Sequence, residues 1–376
     1  MSSNCMPSVT VDTFCKIVEM QFREGNMRPI FGLGKGGIGK TESLEHLAKD
    51  VLGVGYIDIR LLLYSETDLK GIPYPNSTNT KTIWLQNNIL PTIEKDGEKG
   101  ILVLDEITSS TKSVRTAAYQ LLNERRLGEY ELPKGWLVVC LGNGEEDGGD
   151  YQGMEGNFAN RCSLYNVIAD VESWKSWAFE NGVNSLVTGY VSFKPHDLHT
   201  YNIDDEEGSL LFASPRSWKA VSDILNTNNF REDDNILAYR IIANLGQKVG
   251  RQFLSFCKYS KQTVDPNTII IDREKPIIES QEVIYITIQS VIKIIGDKIR
   301  EDRQTLNGAV QQNTIQMLAN GLSWILSLRK EYAVMGFTDL IAYEPDTIRR
   351  LLLTPQLLQS CPEFRQFAND NQVIFS

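Results

Sequence analysis

The chain has 376 residues, enough for two or three packed units. Hydrophobic residues make up 41% and charged residues 23%, the balance of a globular protein, and no apolar run is long enough to span a membrane. The formal net charge of −10 disfavours broad, sequence-independent binding to nucleic acid, which needs many cationic contacts to phosphates.

The six cysteines are scattered and form no C-x-x-C, so neither a zinc site nor a redox pair is expected. Met1 to Cys5 lacks the basic and apolar regions of a signal peptide, and a reducing cytoplasm is the expected location.

In chain order, Val9 to Phe22 reads as a helix. Pro29 to Leu33 is a short apolar run, expected as a buried strand. It leads into Gly34-Lys35-Gly36-Gly37-Ile38-Gly39-Lys40-Thr41, which fits G-x-x-x-x-G-K-[ST], the phosphate-binding loop. Glycines at 34, 36, 37 and 39 let the backbone turn its N–H groups toward phosphate oxygens. Lys40 can reach the β- and γ-phosphates, and the Thr41 hydroxyl can ligate Mg²⁺. Leu44, Leu47, Ala48 and Val51 recur at helical spacing, so a helix opens at the loop and offers its positive end to the same phosphates. The expected phosphate-contacting set is Gly34, Gly36, Gly37, Ile38, Gly39, Lys40, Thr41 and Glu42.

Tyr56 to Ile59 reads as a strand, Asp68 to Pro75 as an exposed loop, and Ile83 to Glu94 as a short helical piece. Ile101 to Leu104 is the next buried strand and ends at Asp105-Glu106. Asp105 is placed to hold the Mg²⁺ shell. A carboxylate directly after it, Glu106, can orient a water and accept its proton. A helix with Val114, Ala117, Ala118, Leu121 and Leu122 on one face follows, then a hairpin over Leu127 to Trp136 turning at Pro133-Lys134-Gly135. Trp136 to Leu141 is a third buried strand. Asn143 stands at its end, where it can touch the γ-phosphate and the attacking water. Glu145 to Gly156 is acidic and glycine-rich and reads as a loop.

Arg161, in Phe158-Ala159-Asn160-Arg161-Cys162, precedes a strand at Leu164 to Ile168. From that position an arginine can enter a neighbouring subunit's site. Continuous apolar strands separated by helices argue a mostly parallel sheet covered on both faces.

After Asp170 the pattern is helical. Ser214 is the expected cap, and Pro215 the first residue, of a helix carrying Arg216, which can reach back to the phosphates. Helices are expected near 234–246 and 248–259, then a linker over Thr263 to Glu279, then helices at 280–301, 305–330 and 332–353. The expected division is 1–170 as the nucleotide-binding α/β core, 171–260 as a helical lid, and 261–376 as a C-terminal helical domain. His196 and His199 form an H-x-x-H with no third ligand by spacing, and Asp204 to Glu207 reads as a solvated loop.

Over roughly residues 28–230 these motifs resemble AAA+ ATPases, and within them the MoxR-like group. The likeness is carried by the phosphate loop, Asp105-Glu106, Leu121 to Arg126, the hairpin, Asn143, Asn160-Arg161 and Ser214 to Trp218. It implies an α/β P-loop core with an all-α lid, binding ATP and Mg²⁺. It implies that Asn143 is the first sensor, Arg161 the arginine finger and Arg216 the second sensor. It further implies a ring, of hexameric size, that remodels or assembles a protein partner as a chaperone does. A partner with a von Willebrand factor A domain is implied by the resemblance alone. Cys162 stands where the family usually has an aromatic residue. Lys35 gives a second match, to the deviant loop of ParA/MinD-type positioning ATPases, though these lack the downstream motifs. A nucleotide-gated scaffold with little turnover is the remaining alternative.

Overall fold

The computed structural model describes residues 6–85, 88–144, 160–201, 211–227 and 234–370. The loop Glu145 to Gly156 and the run Asp204 to Glu207 lie outside the described residues, as do Phe158 and Ala159. Two compact units are present, Met1–Asp170 with Tyr201–Gly208, and Val171–Thr200 with Ser209–Ser376.

The first unit is an α/β layer structure. Its elements are β1 (Ser8–Thr10), α1 (Val11–Arg23), β2 (Ile30–Leu33), α2 (Lys40–His46), β3 (Gly55–Arg60), α3 (Glu66–Lys70), β4 (Ile72–Pro75), β5 (Thr82–Leu85), α4 (Ile93–Asp96), β6 (Lys99–Asp105), α5 (Lys112–Glu124), β7 (Arg126–Leu127), β8 (Tyr130–Glu131), β9 (Gly135–Gly142) and β10 (Ser163–Ile168). Six strands form one sheet in the order β1-β10-β2-β9-β6-β3, and every pairing is parallel. The apolar runs read as continuous because both faces are buried. Ile30, Ile101, Val103, Val139 and Leu141 pack on one face with Phe14 and Leu44. Phe31, Leu102, Leu104, Val138 and Cys140 pack on the other with Val114, Ala118 and Leu121.

The strand order positions the site. β9 lies between β2 and β6, so the ends of three neighbouring strands deliver Gly34, Asn143 and Asp105 to one edge. In open parallel sheets ligands bind outside the carboxyl ends of the strands.

The second unit is all-helical: α6 (Val171–Glu180), α7 (Ser185–Phe193), α8 (Pro215–Thr227), α9 (Asn235–Leu245), α10 (Gln247–Lys258), α11 (Pro266–Ile270), α12 (Gln281–Thr305), α13 (Gln312–Ser327), α14 (Lys330–Tyr343), α15 (Pro345–Leu352), α16 (Pro355–Ser360) and α17 (Glu363–Asp370). Ser214 caps α8 as expected, its Oγ accepting from Ser217 N at 3.3 Å. One core gathers Tyr190, Trp218 and Phe253, and a second gathers Ile288, Leu322 and Phe337. α12 feeds both, through Ile286 and Ile288.

Several local expectations are corrected. Ile83 belongs to a strand, not a helical piece, because β5 pairs antiparallel with β4 and the Asn76 side chain closes the turn by accepting from Thr80 N and Lys81 N. The second hairpin turns at Gly128-Glu129, where Gly128 has a φ of 62°, rather than at Pro133-Lys134-Gly135. The Thr263 to Glu279 linker contains α11. Asp265 caps it, Pro266 starts it, and Ile269 and Ile270 are wholly buried, so packing overrides their β preference. The helix expected over 332–353 is two, divided at Pro345, which cannot continue a helix.

Candidate functional site

The phosphate loop lies between β2 and α2. Gly34 extends the ladder by one bond, its N–H donating to Gly142 O at 3.1 Å. A Cβ there would sit 2.1 Å from the Val167 carbonyl oxygen, so only glycine lets the strand pass so close to β10. Gly37 and Gly39 have φ of 78° and 93°, the left-handed turn that aims the loop's N–H groups inward. Gly39 caps α2 without a side-chain bond, leaving the first-turn amides for another acceptor. Glu42, in that first turn, is exposed, and Ile38 is buried beneath the loop.

Lys40 is buried, and its Nζ donates to Gly34 O at 2.6 Å and Lys35 O at 2.9 Å. The ammonium therefore sits inside the ring of the loop. Thr41 Oγ1 donates to Asp105 Oδ2 at 2.8 Å. Asp105 Oδ1 accepts the Glu106 N–H at 2.8 Å. Glu106 is half-buried with a φ of 56°, a conformation that a non-glycine residue adopts only at a cost of about 1–2 kcal/mol. Asn143 follows β9, and its N–H donates to the buried Thr108 hydroxyl at 3.1 Å.

The structure thus brings Lys40, Thr41, Asp105, Glu106 and the Asn143 backbone to one edge of the sheet. Arg161 stands elsewhere. It precedes β10, whose Ser163 pairs with Ile30 at the start of β2, so Arg161 lies at the opposite edge from its own loop. It is exposed and makes no hydrogen bond or ion pair among the described residues. Arg28 braces its turn, Nη2 donating to Asn160 O at 2.8 Å and Cys162 O at 3.3 Å. Arg216 is exposed in the first turn of α8, in the second unit. Lys35 Nζ donates to Tyr201 O within the same chain at 3.1 Å. Among the described residues no group of three or more His, Cys, Asp or Glu side chains is placed to hold a metal ion by itself, His196 and His199 included.

Sequence reasoning missed Asp58 and Tyr56. Tyr56 OH donates to Thr41 O at 3.2 Å. Burial, then the charge of Asp105, push the Asp58 carboxyl up to about 6. The available signal was a carboxylate between Ile57 and Ile59 in a short strand.

That shift predicts a stability effect. A carboxyl whose folded pKa is raised contributes stability below its unfolded value and loses it as pH rises through the folded value. For Asp58 the window runs from 3.8 to about 6. Asp58→Asn should therefore raise the unfolding free energy at pH 7.5 by about 1–3 kcal/mol. Below pH 4 it should change nothing. Thermal melts at the two pH values check this, and an equal effect at both would refute the assignment.

The parallel sheet, phosphate loop and paired Thr41–Asp105 define the class as an α/β fold of the phosphate-loop type with an all-helical companion unit. No family model and no curated protein matches the chain. Among solved structures it is similar to a closed-state cryo-EM reconstruction of Hsp104 with ATPγS and FITC-casein, at 18% identity and a TM-score of 0.36, over 46% of this chain and 36% of that one. It is similar to a crystal structure of a candidate ATPase from Cytophaga hutchinsonii, at 13% identity and a TM-score of 0.32, over 89% and 81%. It is also similar to NtrX from Brucella abortus in complex with ADP, at 11% identity and a TM-score of 0.35, over 79% and 65%. The chain thus spans about a third of the Hsp104 chain and just under two thirds of NtrX. Likenesses of this extent assign neither a family nor an activity. No helix among the described residues is long and apolar enough to cross a membrane.

Proposed function

We propose that the chain is a Mg²⁺-dependent ATPase of the AAA+ type, resembling the MoxR-like group, that works as a ring and remodels or assembles a protein partner. The observation that carries the reading is the 2.8 Å bond from Thr41 Oγ1 to Asp105 Oδ2 at the mouth of the phosphate loop, with Glu106 next in the chain. Two hard oxygens that close together suit one divalent cation, so the donor set fits Mg²⁺. When bound, the ion would offset charge on the transferring phosphoryl group.

In this reading Lys40 and the loop amides bind the phosphates, and Thr41 and Asp105 hold the metal. With Asp105 committed to the metal, Glu106 is the acid that orients a water and takes its proton. Asn143 orients the same water. Arg161, on the far edge of its own sheet, acts on the next subunit's site, and Arg216 responds to the phosphates from the helical unit. Residues 171–260 serve as the lid and 261–376 as a C-terminal domain. Hexameric size, a partner with a von Willebrand factor A domain and a cytoplasmic location belong to the same proposal. Lys35, bonded inside its own chain, gives no support to a ParA/MinD-like reading.

The test is the ATPase rate per subunit against protein concentration, with Glu106→Gln as the blank. A rate that climbs steeply and then levels is expected, because Arg161 completes the site between subunits. A flat, measurable rate would defeat the ring. No rate above the blank would favour the nucleotide-gated scaffold.

A further inference from the structure

β3 is a plain edge strand except at one residue. It pairs with β6 in register, Asp58 opposite Val103 and Arg60 opposite Asp105. Side chains alternate along a strand, so Tyr56, Asp58 and Arg60 share one face with Val103 and Asp105. Asp58 and Asp105 are diagonal neighbours on it. Tyr56 fixes this face against the start of α2, through its bond to Thr41 O. Asp58 therefore stands beside Asp105 on this face.

Asp58 is not satisfied there. Among the described residues its buried Oδ1 has no hydrogen-bond partner, and its Oδ2 forms an ion pair only with Arg60 Nε, at 3.9 Å. The Arg60 side chain is 58% exposed, so water screens that contact. The other charges acting on Asp58 are Asp105, Glu45 and Glu106, all acidic. A buried polar group without a partner costs about 1–3 kcal/mol, and like charges add to the cost. Asp68, by contrast, accepts two bonds from Ser65 at the start of α3. An acid held against repulsion needs a cation or a donor to face. In the reading above Thr41 and Asp105 already supply the direct oxygens, and among the described residues Asp58 and Asp105 are not joined by a third such side chain into a metal-holding group, which leaves Asp58 the outer position.

We propose that Asp58 is a positioning residue for the divalent ion of this site, accepting a hydrogen bond from a metal-bound water through its unpartnered Oδ1. The inference rests on the phosphate-loop ATPase reading above. Mg²⁺ keeps several waters when protein-bound, and Asp58, on the same face as Asp105, would be an acceptor for one of them. Outer acids of this kind typically tune metal affinity 10- to 100-fold.

The test titrates Mg²⁺ against the full chain at subsaturating ATPγS and reads bound nucleotide. Three proteins are compared: the unsubstituted chain, Asp58→Asn and Thr41→Ala. Asp58→Asn is isosteric and relieves repulsion, so folding is retained. Its nucleotide binding in EDTA should match the unsubstituted chain, while its Mg²⁺ half-point rises at least about 10-fold. A half-point within twofold, with the Mg²⁺ response abolished in Thr41→Ala, overturns the role of Asp58 and leaves the ATPase reading standing. An equal loss of binding with and without metal also overturns it, because that is a folding effect. Nucleotide binding by the unsubstituted chain that ignores Mg²⁺ overturns the ATPase reading, and this proposal with it.

Discussion

Glu106→Gln should lower ATP turnover by about 10²–10⁴-fold while leaving nucleotide affinity within a few-fold. Glutamine keeps the size of the side chain but cannot take a proton. In this reading Asp105 cannot substitute, because it is committed to the metal with Thr41 and also accepts the Glu106 N–H at 2.8 Å. The backbone supplies a second signature. Glu106 adopts a φ of 56°, which glycine takes freely and glutamate only at a cost. Glu106→Gly should therefore raise the unfolding free energy by about 1 kcal/mol and still lose turnover. A residue that only ended the strand would show neither the loss of rate nor this opposition between stability and activity. Turnover within threefold of the unsubstituted chain in Glu106→Gln would remove Glu106 from the chemistry.

Most of the core was legible because its signals are local. The strand before Gly34, the loop and the helix after Thr41 follow one another in sequence, and Asp105 ends an apolar run that can only be a buried strand. Asp58 was not legible. Its meaning comes from register, since it lies on the same face as Asp105 only because β3 pairs with β6. Arg161 was legible as a residue type before a strand, whereas its place on the edge opposite the loop needed the parallel pairing with Ile30. The second unit resisted for a different reason. Ile269-Ile270-Ile271 reads as a strand by propensity, yet Asp265 and Pro266 start a helix and the neighbouring helices bury two of the three. The β4–β5 hairpin went unread because Ile72, Tyr74 and Leu85 are exposed, so no buried alternation marks it.

Lys175→Met should destabilise the second unit by about 3–5 kcal/mol, the usual cost of breaking a buried ion pair from one side. Lys175 and Asp339 are 2% and 0% exposed, and Nζ lies 2.5 Å from Asp339 Oδ1. Burial works against the Lys175 charge, but the Asp339 and Glu172 carboxylates outweigh it, so its pKa lies above the ordinary lysine value. Asp339 also accepts from Gln289 Nε2 at 2.6 Å, which ties α6, α12 and α14 through one carboxylate. Burial already pushes the Asp339 carboxyl above the ordinary carboxylate range with Lys175 beside it, so removing the lysine leaves a fully buried acid without its cationic partner. Arg300 fastens the far end of α6, Nη1 donating to Phe179 O at 2.7 Å while Nε meets Glu344 Oε1 at 2.8 Å. The pair therefore specifies how α6 seats on the later helices rather than adding net stability, since well-packed apolar replacements of buried pairs are often neutral. The consequence is a double-mutant sign. Lys175→Met with Asp339→Asn removes both charges and keeps an acceptor for Gln289, so it should recover at least half of the single-mutant loss. Urea unfolding followed by helical circular dichroism measures both. A Lys175→Met cost below about 1 kcal/mol would mean that Asp339 meets its charge by protonation, and that α6 is held by its apolar face alone.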